Sequence, residues 1–295
     1  MRRLLWVGVV AAAIGLGIAI WLLKPVNGPS RDLSLTADAT HGAYLIRLGG
    51  CVSCHTDAKH GGAMLAGGAP LKTPFGTFYP PNITPDKVTG IGAWTLAEFS
   101  DALSNGHAAP RGNLYPVFPY EDFTLMSDQE IVDLHAGIMA VPPVAHRVPA
   151  NRVPFPLNIR LLISGWKNLY FTPHRYSPDP AHSTEWNRGA YLANGPGHCV
   201  ACHSPRNVLG AVITARKLTG NAAGGPSGKA PPITTAALIG DGFRTDSLAQ
   251  MLRTKNTPNA GKVGDEMGQV VDDETSHWTD ADLEALSNYL LGVQK

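Results

Sequence analysis

The chain begins with a long apolar run. Leu4 to Leu23 are twenty residues without a charge, preceded by two arginines and followed by Lys24 and Pro25. At about 1.5 Å per residue, a helix of this length spans roughly 30 Å, which matches the hydrocarbon core of a bilayer. The run therefore predicts a transmembrane helix, within an N-terminal membrane anchor of residues 1–28.

A cleaved signal peptide is the alternative interpretation of this run. Its apolar part is usually only about 7 to 15 residues long and ends in small residues, whereas WLLKPVNG ends the run here. The two arginines favour a cytoplasmic N-terminus, which places the rest of the chain on the outer side of the membrane. We expect a single-pass protein of the bacterial inner membrane, with everything after the anchor in the periplasm.

Two later segments place apolar residues on one helical face. Their apolar positions are Ile131, Leu134, Ile138 and Met139, and Leu283, Leu286 and Leu290. Ser127 and Glu130 have the spacing of a capping box before the first segment, and Thr279 and Asp282 form a weaker version before the second. The pattern predicts two amphipathic helices that begin at these caps.

The two segments belong to an internal duplication. HGAYLIRLGGCVSCHT from His41 aligns with RGAYLANGPGHCVACHS from Arg188, and SDQEIVDL aligns with TDADLEAL further along each copy. The duplication predicts a mostly α-helical fold with two tandem domains, residues 38–145 and 185–295. Each domain closes with one of the amphipathic helices.

A proline-rich linker, residues 146–184, separates the two domains. Residues 140–185 contain eight prolines, and they surround the apolar stretch LNIRLLISGWKNLYF at 157–171. The stretch predicts a short helix or strand packed between the domains. We interpret it as a structural buttress, with a docking surface for a partner or the membrane as the alternative.

Composition narrows the function classes. Charged residues make up 16% of the chain and the formal net charge is +1, so there is no broad basic field for binding nucleic acid. The chain has 32 glycines and 24 prolines but only 7% aromatic residues. This predicts long loops and a modest core of side chains, with a group other than side chains filling the interior.

All the cysteines lie in two C-x-x-C-H stretches. They are Cys51, Cys54, Cys199 and Cys202, and His55 and His203 follow the two pairs. A zinc ribbon usually has its pairs about 15 to 20 residues apart, and zinc, redox dithiols and disulfides all leave the adjacent histidines unexplained. In covalent haem attachment the thiols bond the porphyrin and the histidine ligates the iron. The motifs predict two covalently bound haems c.

These motifs resemble class I cytochrome c domains in tandem. The segments NITPDKVTGIGAWTLAEFSDAL, LYPVFPYEDF, WNRGAYL and GHCVACHSPRN also resemble the dihaem cytochrome c subunits of membrane-associated periplasmic dehydrogenases, such as those for alcohol and gluconate. The resemblance covers about residues 38 to 293. It implies that the closing helix of each domain crosses the opening one at small residues, for which Gly42 and Gly189 are suitably placed.

The resemblance also implies a function. We expect a membrane-anchored electron-transfer subunit that is not an enzyme by itself. It takes electrons from the catalytic subunit of a periplasmic dehydrogenase and passes them to a soluble cytochrome, a quinone or a terminal oxidase in the respiratory chain. The substrate is set by the partner subunit, so the sequence does not identify it.

The second axial ligand of each iron decides between carrier and enzyme, because an open position permits chemistry on a bound molecule. Class I domains place a methionine in a loop ahead of the closing helix. Met267 in VGDEMGQVV suits that pattern for the second haem, while Met251 forms a core stripe with Leu248 and Leu252. Met267 is therefore the expected ligand.

The first haem departs from the family pattern. Related subunits read Y-P-x-M-P-Y, but Phe118 stands where they have the ligand methionine, and phenylalanine cannot bind iron. We expect Met126, one residue before the helix cap, to take its place. His107, Met64 and an open site are the alternatives. His198, just before the second motif, is expected to bond loop backbone rather than iron.

A dihaem enzyme is the alternative function. In this interpretation, the first haem is the reaction site of a peroxidase-like or thiosulfate-oxidising protein. Phe118 favours it, and His107 and Arg111 are the candidate acid–base or cationic groups nearby.

Overall fold

The computed structural model describes residues 2–109, 111–225 and 228–293, and this part of the chain is mostly helical. Its α-helices are α1 (Arg2–Leu23), α2 (Ala39–Leu48), α3 (Cys51–His55), α4 (Leu96–Asn105), α5 (Tyr120–Phe123), α6 (Asp128–Met139), α7 (Leu162–Tyr170), α8 (Thr184–Asn194), α9 (Cys199–His203), α10 (Thr235–Gly240), α11 (Thr245–Thr254), α12 (Asp265–Asp273) and α13 (Asp280–Leu290).

Short elements complete the secondary structure. Three antiparallel pairs of strands are present among the described residues: β1 (Leu71–Thr73) with β2 (Gly76–Phe78), β3 (His107–Ala108) with β4 (Gly112–Asn113), and β5 (Asn221–Gly225) with β6 (Gly228–Ala230). Single 3₁₀ turns occupy Ala58–His60, Thr214–Arg216 and Thr275–His277. Because each sheet has only two strands, the core is built between helices.

Helix α1 has the length and composition needed to cross a membrane. Its segment Leu5–Leu23 has a mean hydropathy of 2.3, and none of that segment is buried by the rest of the chain. The predicted apolar run is thus a continuous helix that projects from the other helices. Its last turn lies against α7.

Two helix pairs form the core of the remaining chain. Helix α2 packs on α6 and helix α8 packs on α13, as the resemblance to class I cytochrome c domains implies. A Cβ atom on Gly42 would lie 1.9 Å from the carbonyl oxygen of Asp133, and one on Gly189 would lie 2.0 Å from that of Ala285. The closing helices therefore cross the opening ones at these glycines, which confirms the expected crossing points.

The predicted helix starts and core faces are also confirmed. Ser127 and Glu130 form a reciprocal capping box, whereas Thr279 caps α13 only through the backbone N–H of Asp282. The predicted core positions that are buried are Ile131, Leu134, Ile138, Leu248, Met251, Leu252, Leu283, Leu286 and Leu290. Met139 is partly buried against the same cluster. Periodicity was sufficient to find these faces because helix spacing is a local property.

Asp128, the first residue of α6, holds two separate segments of the chain. Its carboxylate accepts hydrogen bonds from Arg31 at 3.1 Å and from the Asp32 N–H at 2.9 Å, both in the segment after α1. Arg175, which follows α7, donates to it at 2.9 and 2.8 Å. One carboxylate thus fixes the segments that follow α1 and α7 to the start of α6.

We expect Gly42→Ala to lower the free energy of unfolding by more than about 2 kcal/mol, because the added methyl collides with backbone and must push α2 away from α6. Gly240→Ala is the matched control, since a Cβ there meets nothing within 4 Å. Denaturant unfolding of both variants checks this. Equal stabilities would show that the crossing tolerates a side chain.

Asp128 predicts a pH dependence. Burial alone would raise its pKa, but the hydrogen bonds from Arg175, Asp32 and Arg31 outweigh burial and lower the pKa to about 2, against 3.8 when unfolded. The stabilisation is therefore complete above pH of about 4 and is lost as the pH falls towards 2.

We expect Asp128→Asn to cost about 1 to 2 kcal/mol at pH 7 and close to nothing at pH 2. Glu266→Gln, at an exposed carboxylate in α12, is the control. Unfolding measured in denaturant at both pH values tests this, and a deficit in the variant that stays constant with pH would contradict it.

Candidate functional site

The two C-x-x-C-H stretches form two short helices of the same length. Helices α3 and α9 each begin directly at the first cysteine and end at the histidine. Each follows a residue in the left-handed region, Gly50 with φ of 62° and His198 with φ of 35°. A non-glycine residue rarely adopts this conformation. The ring of His198 hydrogen-bonds the backbone of Gly49, as expected from the sequence.

The motif histidines have the same hydrogen bond in both halves. Nδ1 of His55 lies 2.7 Å from the carbonyl oxygen of Pro81, and Nδ1 of His203 lies 2.8 Å from that of Pro231. A carbonyl can only accept, so Nδ1 carries the proton and Nε2 keeps its lone pair. Burial lowers the pKa of both histidines, which favours the neutral ring. Each imidazole is thus prepared to bind a metal through Nε2.

Burial favours the protonated thiol over the thiolate at Cys51, Cys54 and Cys199. Burial raises the pKa of Cys51 and of Cys199 to about 12, and the four cysteines form no disulfide within the described ranges. The same part of the chain has no group of three or more His, Cys, Asp and Glu side chains arranged to hold a metal ion. Two thiols and one neutral imidazole on a single short helix fit covalent haem attachment.

The two motifs lie against each other. A Cβ on Gly50 would lie 2.7 Å from Oε1 of Glu274 and 2.9 Å from Nε2 of His198. Ser53 Oγ donates a hydrogen bond to the same Glu274 carboxyl. Surrounding protein atoms raise the pKa of Cys54 to about 12, and Glu274 and Cys202 add to that shift. The motifs are therefore neighbours, although 148 residues separate them in the sequence.

Glu274 is the buried group at this contact, and sequence reasoning did not identify it. Only 2% of its surface is exposed, and burial raises its pKa to about 8. The carboxyl is accordingly protonated near neutral pH, which avoids the cost of a buried charge. No motif marks this position, because its role comes from contacts with the other half of the chain.

A second set of contacts joins the halves through one arginine. Arg188 in α8 donates to Asp282 of α13 at 2.7 Å and pairs with Glu130 of α6 at 3.6 Å. Tyr44 donates to Asp282 at 2.5 Å, and Tyr191 donates to Glu130 at 2.5 Å. Each carboxylate therefore binds groups from both halves, so the arginine and the two tyrosines hold the helix pairs in one arrangement.

The structure places both expected methionines close to the core of their own half. Met126 is 1% exposed and immediately precedes the cap of α6. Met267 is partly buried against the core of the second half, but it lies in the first turn of α12 rather than in a loop. Little in the sequence indicates this helix, because Gly264 precedes it and Gly268 lies inside it, and glycine disfavours a helix. Met251 is a buried core residue, as predicted.

The other candidates for the first iron have different surroundings. His107, in β3, is tied through Nδ1 to Asp101 at 2.7 Å, and Met64 is 40% exposed. Phe118 packs on Phe123 with ring centroids 5.4 Å apart. His135, on α6, packs against Phe99 of α4, with ring centroids 5.2 Å apart. Met126 is thus the fully buried one of the two methionines proposed for this half.

Two features near the second motif suit the polar groups of a cofactor. The indole N–H of Trp278 is buried without a hydrogen-bond partner, and this ring contacts the backbone at Gly197. A cleft of about 570 Å³ lies beside Pro231, and its lining includes Arg206, Arg216 and Lys229. Such groups bind carboxylates well, and haem carries two. Sequence reasoning missed these residues because only folding brings them to the motif.

No protein-family model matches the chain. The chain is 36% identical over 301 aligned positions to a protein named diheme cytochrome c-type from Cereibacter sphaeroides, covering 99% of both proteins. It is 38% identical to a subunit of nicotinate dehydrogenase from Pseudomonas putida over 97% of this chain. It is also 38% identical to the fructose dehydrogenase cytochrome subunit of Gluconobacter japonicus over 93% of this chain.

These relatives differ in length. The chain spans nearly the whole of the Cereibacter protein, but only 24% of the Pseudomonas protein and 57% of the Gluconobacter protein. The similarity therefore covers most of this chain, whereas the two longer relatives contain further sequence.

Proposed function

Because the chain belongs to the family of dihaem c-type cytochromes, we propose that it carries two covalently bound haems c and relays electrons from a periplasmic dehydrogenase to the respiratory chain. The observation that carries this proposal is the repeated motif geometry, in which each histidine keeps Nε2 available by donating Nδ1–H to a proline carbonyl. We assign one haem to each tandem class I domain, residues 38–145 and 185–295.

The motif residues have defined roles in this proposal. The thiols of Cys51 and Cys54 form thioether bonds to the first porphyrin, and His55 binds its iron. Cys199, Cys202 and His203 do the same for the second. The haem supplies one-electron chemistry, while the protein sets its potential through the axial ligands and the burial of the site. The proline carbonyls fix the ring orientation and increase the basicity of Nε2.

We assign Met126 and Met267 as the second axial ligands. Each lies in the same half as its motif and ahead of the closing helix, and each has a thioether at least partly inside the core. A methionine opposite a histidine raises the reduction potential and leaves no position for another molecule. Both properties suit a carrier.

The partners follow from the relatives. Two of them carry dehydrogenase names, which supports a dehydrogenase catalytic subunit as electron donor. We propose a soluble cytochrome, a quinone or a terminal oxidase as acceptor. Helix α1 anchors the chain in the bacterial inner membrane, and the arginines ahead of it keep the N-terminus in the cytoplasm and the haem domains in the periplasm.

One observation favours a second function. Phe118 occupies the position at which related subunits have a ligand methionine, so the first haem could react with small molecules. In that case the chain is a dihaem enzyme of the peroxidase-like or thiosulfate-oxidising kind. The buried Met126 argues against it, because a thioether is available to close the site.

Haem counting tests the attachment. We expect two haems per full-length chain matured in a haem-attaching host, and one haem in either double variant, Cys51→Ala/Cys54→Ala or Cys199→Ala/Cys202→Ala. Ala201→Ser, at a spacer position of the second motif, is the matched control and keeps both. The haem content of denatured protein measures this. A chain that retains no covalent haem, or only one before mutation, refutes the proposal.

Spectroscopy tests the axial ligands. In the absorption spectrum of the ferric protein, we expect both haems to contribute to a thioether-to-iron band at the red edge. The intensity of this band should fall by half in Met126→Ala and by half in Met267→Ala. Met251→Ala, in the core of α11, is the control and retains the whole band. A ligand variant that retains the full band removes that methionine from the assignment.

The rate at which cyanide or peroxide binds the unmodified protein distinguishes the carrier from the enzyme. A carrier with two closed sites binds neither quickly, because each ligand must first be displaced. Rapid binding at one high-spin haem of the unmodified chain would instead support the enzyme.

A further inference from the structure

We propose that α7 and the turns before it form a second membrane contact, lying in the lipid interface beside α1. This inference rests on the proposed anchoring of the chain by α1 and adds a lipid-binding surface to it. The surface, called here the apolar patch, consists of Phe155, Leu157, Ile159, Leu161, Leu162 and Leu169.

The polarity of α7 is the reverse of that expected for a helix at an aqueous surface. Lys167 and Ser164 face the protein and are 1% and 4% exposed, whereas Leu162 and Leu169 are 47% and 53% exposed. Leu162, Trp166 and Leu169 are spaced by four and three residues, so they share one face. A soluble helix buries such a stripe and exposes its polar residues.

Hydrogen bonds explain why the polar side chains are inside. The ammonium of Lys167 donates to the carbonyl oxygens of Asn105 and Gly106, both at 2.7 Å, and to Oδ1 of Asn113 at 2.8 Å. Asn113 also donates to Ser164 Oγ at 2.7 Å. These bonds fix the orientation of α7, so its leucines are held outward and cannot turn into the core.

The patch continues through the turns that lead into α7. Phe155 is 79% exposed and Leu161 is 54% exposed. Backbone hydrogen bonds from Leu162 to Ile159 and from Ser164 to Leu161 join these turns to the helix. A contiguous exposed surface of several large apolar residues usually marks a binding site or a membrane contact.

The position of α7 beside α1 identifies the lipid bilayer as the occupant. Gly165 packs on Leu22, with 3.4 Å from its constructed Cβ to Leu22 Cδ2. Asn168 donates to the carbonyl oxygens of Leu22 and Lys24 at 3.3 and 2.8 Å. Helix α7 is therefore attached to the end of the apolar span, at the level where that span leaves the hydrocarbon.

Aromatic residues lie at the same level, where α1 leaves the hydrocarbon. Trp21 is near the end of α1 and is 46% exposed, and Trp166 and Tyr170 of α7 have ring centroids 5.5 Å apart. Tryptophan and tyrosine concentrate at the boundary between lipid and water. A short helix with a leucine face and these aromatics is suited to lie along that boundary.

Photolabelling of the full-length protein in phospholipid vesicles tests the contact. The probe is a lipid that carries a carbene-forming group on its acyl chain, and peptide mass spectrometry locates the adducts. We expect labelling of α1 and of residues 155–170 at a similar level, several-fold above peptides that contain the exposed Val88 or Ile239. The double variant Leu161→Glu/Leu169→Glu should lose the label at 155–170 and keep it in α1, whereas Val88→Glu should change neither.

The outcomes separate the two proposals. Labelled α1 with unlabelled residues 155–170 overturns the lipid contact and leaves the anchor intact. Absence of label from both overturns the anchor, and the contact with it. Label at residues 155–170 that survives the double glutamate substitution also overturns the assignment to this patch.

Discussion

The close crossing of helix pairs at Gly42 and Gly189 is the constraint on which the rest of the structure depends. At each crossing the backbones approach so closely that only a hydrogen atom fits between them. Since α2 and α8 lead directly into the two motif helices, each crossing fixes where a motif begins. The carbonyls that hold the motif histidines come from loops 26 and 28 residues further along the chain.

The contact between the motifs gives this arrangement its value for electron transfer. Gly50, His198 and Glu274 meet between the two attachment helices, and Arg188 joins carboxylates from both halves. The two haems proposed for these helices would therefore have neighbouring attachment points. A carrier benefits from rigid attachment, because each redox step then requires little rearrangement of the protein around the iron.

Local patterns predicted much of this molecule. The caps at Ser127 and Thr279 and the buried helix faces depend on spacing, which the sequence displays directly. The crossing glycines follow from the resemblance to class I cytochrome c domains. Glu274 and the inward Lys167 could not be predicted, because their partners are distant in the chain. The stretch around Lys167 was interpreted as a buttress from its apolar content. It contacts both halves through Asn105 and Leu209, but its leucines point outward.

The attachment of Asn168 to the end of α1 has a mechanical consequence. A transmembrane helix tilts to match the thickness of its bilayer. If α1 spans the membrane as proposed, its tilt would be passed to the other helices as a rotation, because Asn168 of α7 is bonded to the last turn of α1 and Lys167 is bonded to the first half. On that proposal, the height of each attachment helix above the lipid, and with it the set of docking proteins within reach, would vary with membrane composition.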